Sequence, residues 1–289
     1  MAWRGVFRFT WRVTIRPRFF AVCCLTLTTA TPVLAEFEIQ ESTIDPGEIQ
    51  LQYRGAWHEG LPSITTEEAE EDLLLPADEE APLRQSHEAE LQMSVTSHWL
   101  LAVTHGFEQA ADDTFKLTSI EAETQVELIT LEGAGLGFAV QGGVEQPVLD
   151  AREDEAGDYH FGPIVELAKN KFLLTLNPLF YKERGDRAEQ DGWGFEYGWQ
   201  LRYVPTPKLW LTVEMFGEVE DMANAGSFAQ QVHSIGPAFY YIFGADYDVG
   251  GETEEEGSEE LTLSLGAQFG LTEEASDVAL KVFIGYEFF

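Results

Sequence analysis

The residues with chemistry to offer are mostly carboxylates, and one run of them is spaced for it. In SIEAETQVEL, Glu121, Glu123 and Glu127 occupy alternate positions, so an extended backbone puts all three on one face. Glu121 and Glu123 then stand roughly 7 Å apart along the strand. That is too far to share a proton, and a mononuclear metal site there needs a third partner. Serine and histidine meet only as the adjacent pairs Ser86-His87, Ser97-His98 and His233-Ser234. Adjacent strand residues face opposite ways, and His-x-Ser does not occur, so an acyl-hydrolase dyad is disfavoured. His58, His105 and His160 show neither His-x-His nor His-x-x-x-His spacing and read as polar residues near loops. The residues give no reason to read the chain as an enzyme, and they assign no catalytic residue, cofactor or metal site.

Composition narrows the partners. Lys and Arg total 17 against 51 Asp and Glu, for a net charge of −34. So large an acidic excess repels phosphate, which excludes nucleic acid as a partner. Residues 1–35 resemble a secretory signal peptide: five arginines (Arg4, Arg8, Arg12, Arg16, Arg18), an apolar run from Phe19 to Leu25, and small residues up to Val33-Leu34-Ala35. The apolar run is too short for the roughly 20 residues of a spanning helix. Cleavage before Glu36 would remove both cysteines, Cys23 and Cys24, and leave 254 residues with 12 basic side chains. The mature chain then has no disulfide and no thiolate metal ligand.

The elements that must position the carboxylates have a period of two. The alternation is clearest in GWGFEYGWQLRY, where Trp193, Phe195, Tyr197, Trp199, Leu201 and Tyr203 share one face, and Glu196, Gln200 and Arg202 the other. About twelve such strands follow one another from Ile49 to the end of the chain, joined by alternately long and short connections. The longest connection, 60–86, is acidic and contains proline; another acidic run, 249–260, falls where parity calls for a short turn. Trp57, Trp99, Tyr159, Trp193 and Tyr203 stand near strand ends, as interfacial aromatic girdles do. The final strand, VALKVFIGYEFF, puts Leu280, Val282, Ile284, Tyr286 and Phe288 on one face, the pattern of a membrane-insertion signal. The expected fold is all-β: a transmembrane antiparallel up-and-down barrel over 36–289, closed because lipid cannot satisfy an open sheet edge.

If the apolar faces meet lipid, the other faces line the interior. That assigns Arg54, Glu88, Glu90, Glu121, Glu123, Glu127, Glu166, Glu196, Arg202, Glu214, Glu218 and Lys281 to the lumen. Acids outnumber bases there, which favours cations. The hairpin AELQMSVTSHWLLAVTHGFEQ and the ending LSLGAQFGLTEEASDVALKVFIGYEFF resemble the bacterial outer-membrane family described as transporter-like or meta-pathway-of-phenol-degradation-like. The resemblance implies a barrel of about twelve strands in the outer membrane that takes up small compounds, aromatic ones among them, and is inserted by the barrel-assembly machinery through its last strand. The first functional expectation is therefore a porin-like channel or transporter for small solutes. The alternative is a closed barrel acting as a surface or scaffold protein through its acidic loops, which are also candidate sites for divalent cations.

Overall fold

Alternating apolar and polar side chains can satisfy one apolar and one polar surrounding only as strands, and twelve strands form. The computed structural model describes residues 37–60, 84–109, 115–131, 135–148, 156–185, 188, 192–244 and 259–288. The strands are β1 (Ile49–Glu59), β2 (Arg84–Thr96), β3 (Trp99–Gln109), β4 (Lys116–Ile129), β5 (Leu136–Pro147), β6 (Gly157–Lys169), β7 (Phe172–Arg184), β8 (Gly194–Thr206), β9 (Leu209–Val219), β10 (Val232–Phe243), β11 (Glu260–Gly270) and β12 (Val278–Phe288). Each pairs antiparallel with its sequence neighbours, and β1 pairs with β12, with Leu51 opposite Tyr286, so the sheet closes on itself. The expected signal peptide, 1–35, and most of the longest loop lie outside the described residues. β2 takes the last residues of that expected loop, because Trp57 and His58 of β1 pair with Gln85 and Arg84.

The burial pattern is inverted relative to a protein in water. Leu128 and Leu280 are 57% and 56% exposed on the outer surface, while Glu214 and Glu166 are 0% and 1% exposed inside. A continuous band of exposed Leu, Val, Ile and Phe around a closed sheet is a surface built for lipid. Strands of 11 to 14 residues are long enough, when tilted, to cross the hydrocarbon layer. Aromatic side chains edge the band at both ends. Tyr159 meets Trp193 edge-on at 5.6 Å, and Phe172 packs on Tyr203 at 5.1 Å at the opposite rim. The barrel is embedded in a membrane.

The connections sort by end. At the end where β1 begins, Ser97-His98, Asn170-Lys171 and Pro207-Lys208 each turn one strand into the next. Asn170 has φ 57°, a left-handed conformation that asparagine tolerates. The exception at this end is the connection between β10 and β11, which keeps the length expected of it: the strand count is even, and this one turn is long.

Candidate functional site: the barrel interior and the segment docked in it

None of the twelve side chains expected in the lumen is exposed. Glu88, Glu90, Glu127, Glu166, Arg202, Glu214, Glu218 and Lys281 are buried, and Arg54, Glu121, Glu123 and Glu196 are half-buried. The structure gathers them into two differently balanced regions. In one, the bases hold acids. Arg54 pairs with Glu88 at 2.8 Å, Glu90 at 2.5 Å and Glu38; Arg202 pairs with Glu41 at 2.5 Å and lies over the Trp210 ring at 3.8 Å. Lys281 reaches Glu214 at 2.5 Å. It can do so from β12 to β9 because the residues between them are small: Gly266 on β11 is in register with Lys281 and with Ala238 on β10, and Gly236 on β10 is in register with Glu214. In the other region, on β4, β5 and β6, His160 faces Glu121, Glu123 and Asp158, and Glu145 stands in register with Glu121 and Asp158. Here one imidazole faces an excess of carboxylates.

In the sequence, EFEIQESTIDPG (36–47) has only the look of a short lead into the first strand. The structure threads its described part, 37–47, through the lumen. From Asp45, near the end where β1 begins, the segment rises inside the barrel to Phe37, whose ring stacks on His58 near the opposite end of β1. Contacts ring the circumference. Gln125 on β4 donates to the Glu41 carbonyl at 2.9 Å, and Glu166 on β6 accepts from the Ser42 amide at 3.0 Å and hydroxyl at 2.6 Å. Asn177 on β7 both accepts from the Gln40 amide at 2.7 Å and donates to its carbonyl at 3.0 Å. Lys281 on β12 donates to the Phe37 carbonyl at 3.1 Å. Ser42 and Ile44 are buried.

Two glycines make room for this strap. A Cβ on Gly198 would come within 2.9 Å of the Ile39 side chain, and one on Gly137 would collide with the Ser42 hydroxyl. A twelve-stranded barrel has a backbone radius of roughly 12 Å at usual spacing and tilt, of which side chains take almost half. One strand-like segment therefore occupies much of the bore. A cavity of about 390 Å³ remains beside it, lined by Glu38, Arg54, Gln200, Arg202, Trp210, Tyr240 and Lys281 among others.

At the foot of the strap, Glu48 is half-buried between the strap and Glu287. Burial first, and then the charges of Glu287, Asp45 and Glu41, push its carboxyl up to about 8. The docked strap therefore favours a proton on Glu48 at neutral pH.

Two features have no signature in the sequence pattern. His160, which its spacing marks only as a polar residue near a loop, comes within 3.1 Å of both Glu121 and Glu123; what brings it there is the register that aligns Glu123, Gly143 and His160. The strap offered two isoleucines, Ile39 and Ile44, with no strand to belong to.

No known protein family and no curated protein matches the chain. Among solved structures, the barrel is similar to one described as KdgM porin (TM-score 0.46, 8% identity, covering 83% of this chain and 98% of that one). It is also similar to the translocator domain of the autotransporter NalP from Neisseria meningitidis (0.42, 10%, covering 85% and 89%) and to the outer membrane protein Omp33 of Acinetobacter baumannii (0.39, 7%, covering 84% and 97%). The description of this chain as a membrane barrel rests on its own strand order and inverted surface.

Proposed function

We propose that the chain is a bacterial outer-membrane channel that passes small solutes, cations in preference to anions, when the strap in its lumen yields. The observation that carries this reading is the combination of a lipid-facing closed barrel with an interior whose carboxylates outnumber its bases. Inside a low-dielectric wall, uncompensated carboxylates hold a negative potential that attracts cations and repels anions. By the grammar of up-and-down barrels, the end with short turns, where the strap enters, faces the periplasm. The last strand, with Leu280, Val282, Ile284, Tyr286 and Phe288 toward lipid, is the segment the barrel-assembly machinery would engage. The resemblance to transporter-like barrels adds small compounds, aromatic ones included, as a solute class.

The test is the reversal potential across a planar bilayer with a tenfold salt gradient. The expected result is cation selectivity that falls when Glu121, Glu123 and Glu127 are replaced together by Gln. An anion-selective pore, or a reversal potential that the triple substitution leaves unmoved, contradicts the reading.

The strap also favours a second reading, a closed barrel that works through its acidic loops as a surface or scaffold protein. Under that reading, proteolytic trimming within 60–86 abolishes partner binding, and no condition produces conductance.

A further inference from the structure

Outside the paired region of the lumen, one group of side chains converges with metal-ligand geometry. Glu123 on β4 is in register with Gly143 on β5, which is in register with His160 on β6. A Cβ at residue 143 would stand 2.5 Å from His160 Nε2 and 2.8 Å from Glu123 Cγ. Glycine therefore leaves the space in which side chains from two non-adjacent strands meet. His160 Nε2 lies 3.1 Å from an oxygen of Glu121 and 3.1 Å from an oxygen of Glu123, and its Nδ1 lies 3.2 Å from Asp158. One donor atom each from Glu121, Glu123 and His160 falls within a 4.8 Å sphere of separations.

In the tautomer that donates Nδ1–H to Asp158, the Nε2 lone pair is aimed at two carboxylate oxygens. Three lone pairs pointed at one another repel unless a cation sits among them. A proton on Nε2 supplies a single charge against three carboxylates, with Glu145 next in register; a divalent ion supplies two. Metal–ligand bonds of about 2.0–2.1 Å place neighbouring ligand atoms about 3.0–3.4 Å apart, which matches both separations from His160 Nε2, 3.1 Å and 3.1 Å; the two carboxylate oxygens lie within 4.8 Å of each other. A carboxylate behind the imidazole is the usual outer partner of a metal-bound histidine. The nitrogen ligand selects against calcium, which takes oxygen. Side-chain exposures of 6% for His160, 12% for Glu121 and 15% for Glu123 leave the group reachable from the lumen.

We propose that Glu121, Glu123 and His160 form a binding site for one divalent transition-metal ion of the zinc class, with Asp158 as the positioning residue and the remaining coordination positions open to the lumen. The site is independent of whether the barrel conducts.

The experiment uses the untagged, detergent-folded chain after EDTA treatment and dialysis, titrated with Co²⁺ in millimolar Ca²⁺ to occupy the acidic loops. The expected result is one equivalent of bound Co²⁺ with visible d–d bands, displaced by Zn²⁺. Affinity falls at least tenfold in His160→Gln and Glu123→Gln, and about tenfold in Asp158→Asn. Circular dichroism and heat-modified gel mobility verify the fold of each variant. Nitrogen hyperfine coupling in the Cu²⁺ EPR spectrum of the unaltered chain supplies a readout that needs no variant. Absence of stoichiometric Co²⁺ binding, binding unchanged in a folded His160→Gln, or a Cu²⁺ spectrum without nitrogen coupling overturns the proposal and leaves an imidazolium held by three carboxylates.

Discussion

At the residue scale, the lumen works by pairing what it can and leaving the rest acidic. The Lys281–Glu214 pair shows the cost of disturbing it. Glu214 is fully buried and also accepts from Gln200, Thr212 and Tyr240, so its charge has no access to water. Lys281→Ala is expected to lower unfolding stability by about 3–5 kcal/mol, the usual cost of orphaning a buried charge. Adding Glu214→Gln should restore most of that loss in urea titrations in detergent micelles; a single substitution that costs nothing would mean the pair is hydrated and unimportant. Glu48 supplies the pH dependence. Its carboxyl is raised from 4.5 to about 8 in the docked state, so docking favours the protonated form. The contribution is fully present below pH 4.5 and is lost as pH rises through 8. Hydrogen exchange at Phe37–Glu48, corrected for intrinsic rates, should therefore accelerate between pH 5 and pH 9, and Glu48→Gln should flatten that dependence.

At the element scale, the strands were legible and the strap was not, for a physical reason. A strand between lipid and an aqueous lumen must alternate, and alternation survives in one dimension. GWGFEYGWQLRY and VALKVFIGYEFF therefore announce β8 and β12. The strap is held by one or two hydrogen bonds to each of several strands, and those to Glu166 and Asn177 span more than a hundred residues of sequence. No local pattern encodes that. The glycines that seat it, Gly137 and Gly198, look like any other small residue of a barrel interior. They make the docking testable. Gly137→Val keeps a strand-compatible residue on β5 but drives a branched side chain into Ser42. It is expected to raise open probability in single-channel records several-fold without altering the barrel's circular dichroism. Unchanged gating in a folded Gly137→Val would show that the strap does not obstruct the passage.

At the scale of the whole molecule, the organisation is a lipid-facing cylinder whose interior holds a neutralised region around the three lumenal bases and an acid-rich wall on β4 to β6, with the strap touching strands of both. The cylinder was predictable because closure, even strand number and alternating loop lengths follow from putting a sheet in lipid. The division was not, because it depends on which side chains meet across intervening glycines, as Glu123 and His160 do over Gly143 and Lys281 and Glu214 over Gly266. Under the proposed function, solutes pass only when the strap yields. With Cys23 and Cys24 confined to the expected signal peptide, an introduced cysteine pair can be clean. Ser42→Cys with Gly137→Cys places two thiols where a Cβ would already touch the serine hydroxyl. After the bond is verified by mass spectrometry, planar-bilayer recordings should show a silent oxidised protein and cation-selective steps on adding reductant. Conductance that is the same in both redox states would contradict the account.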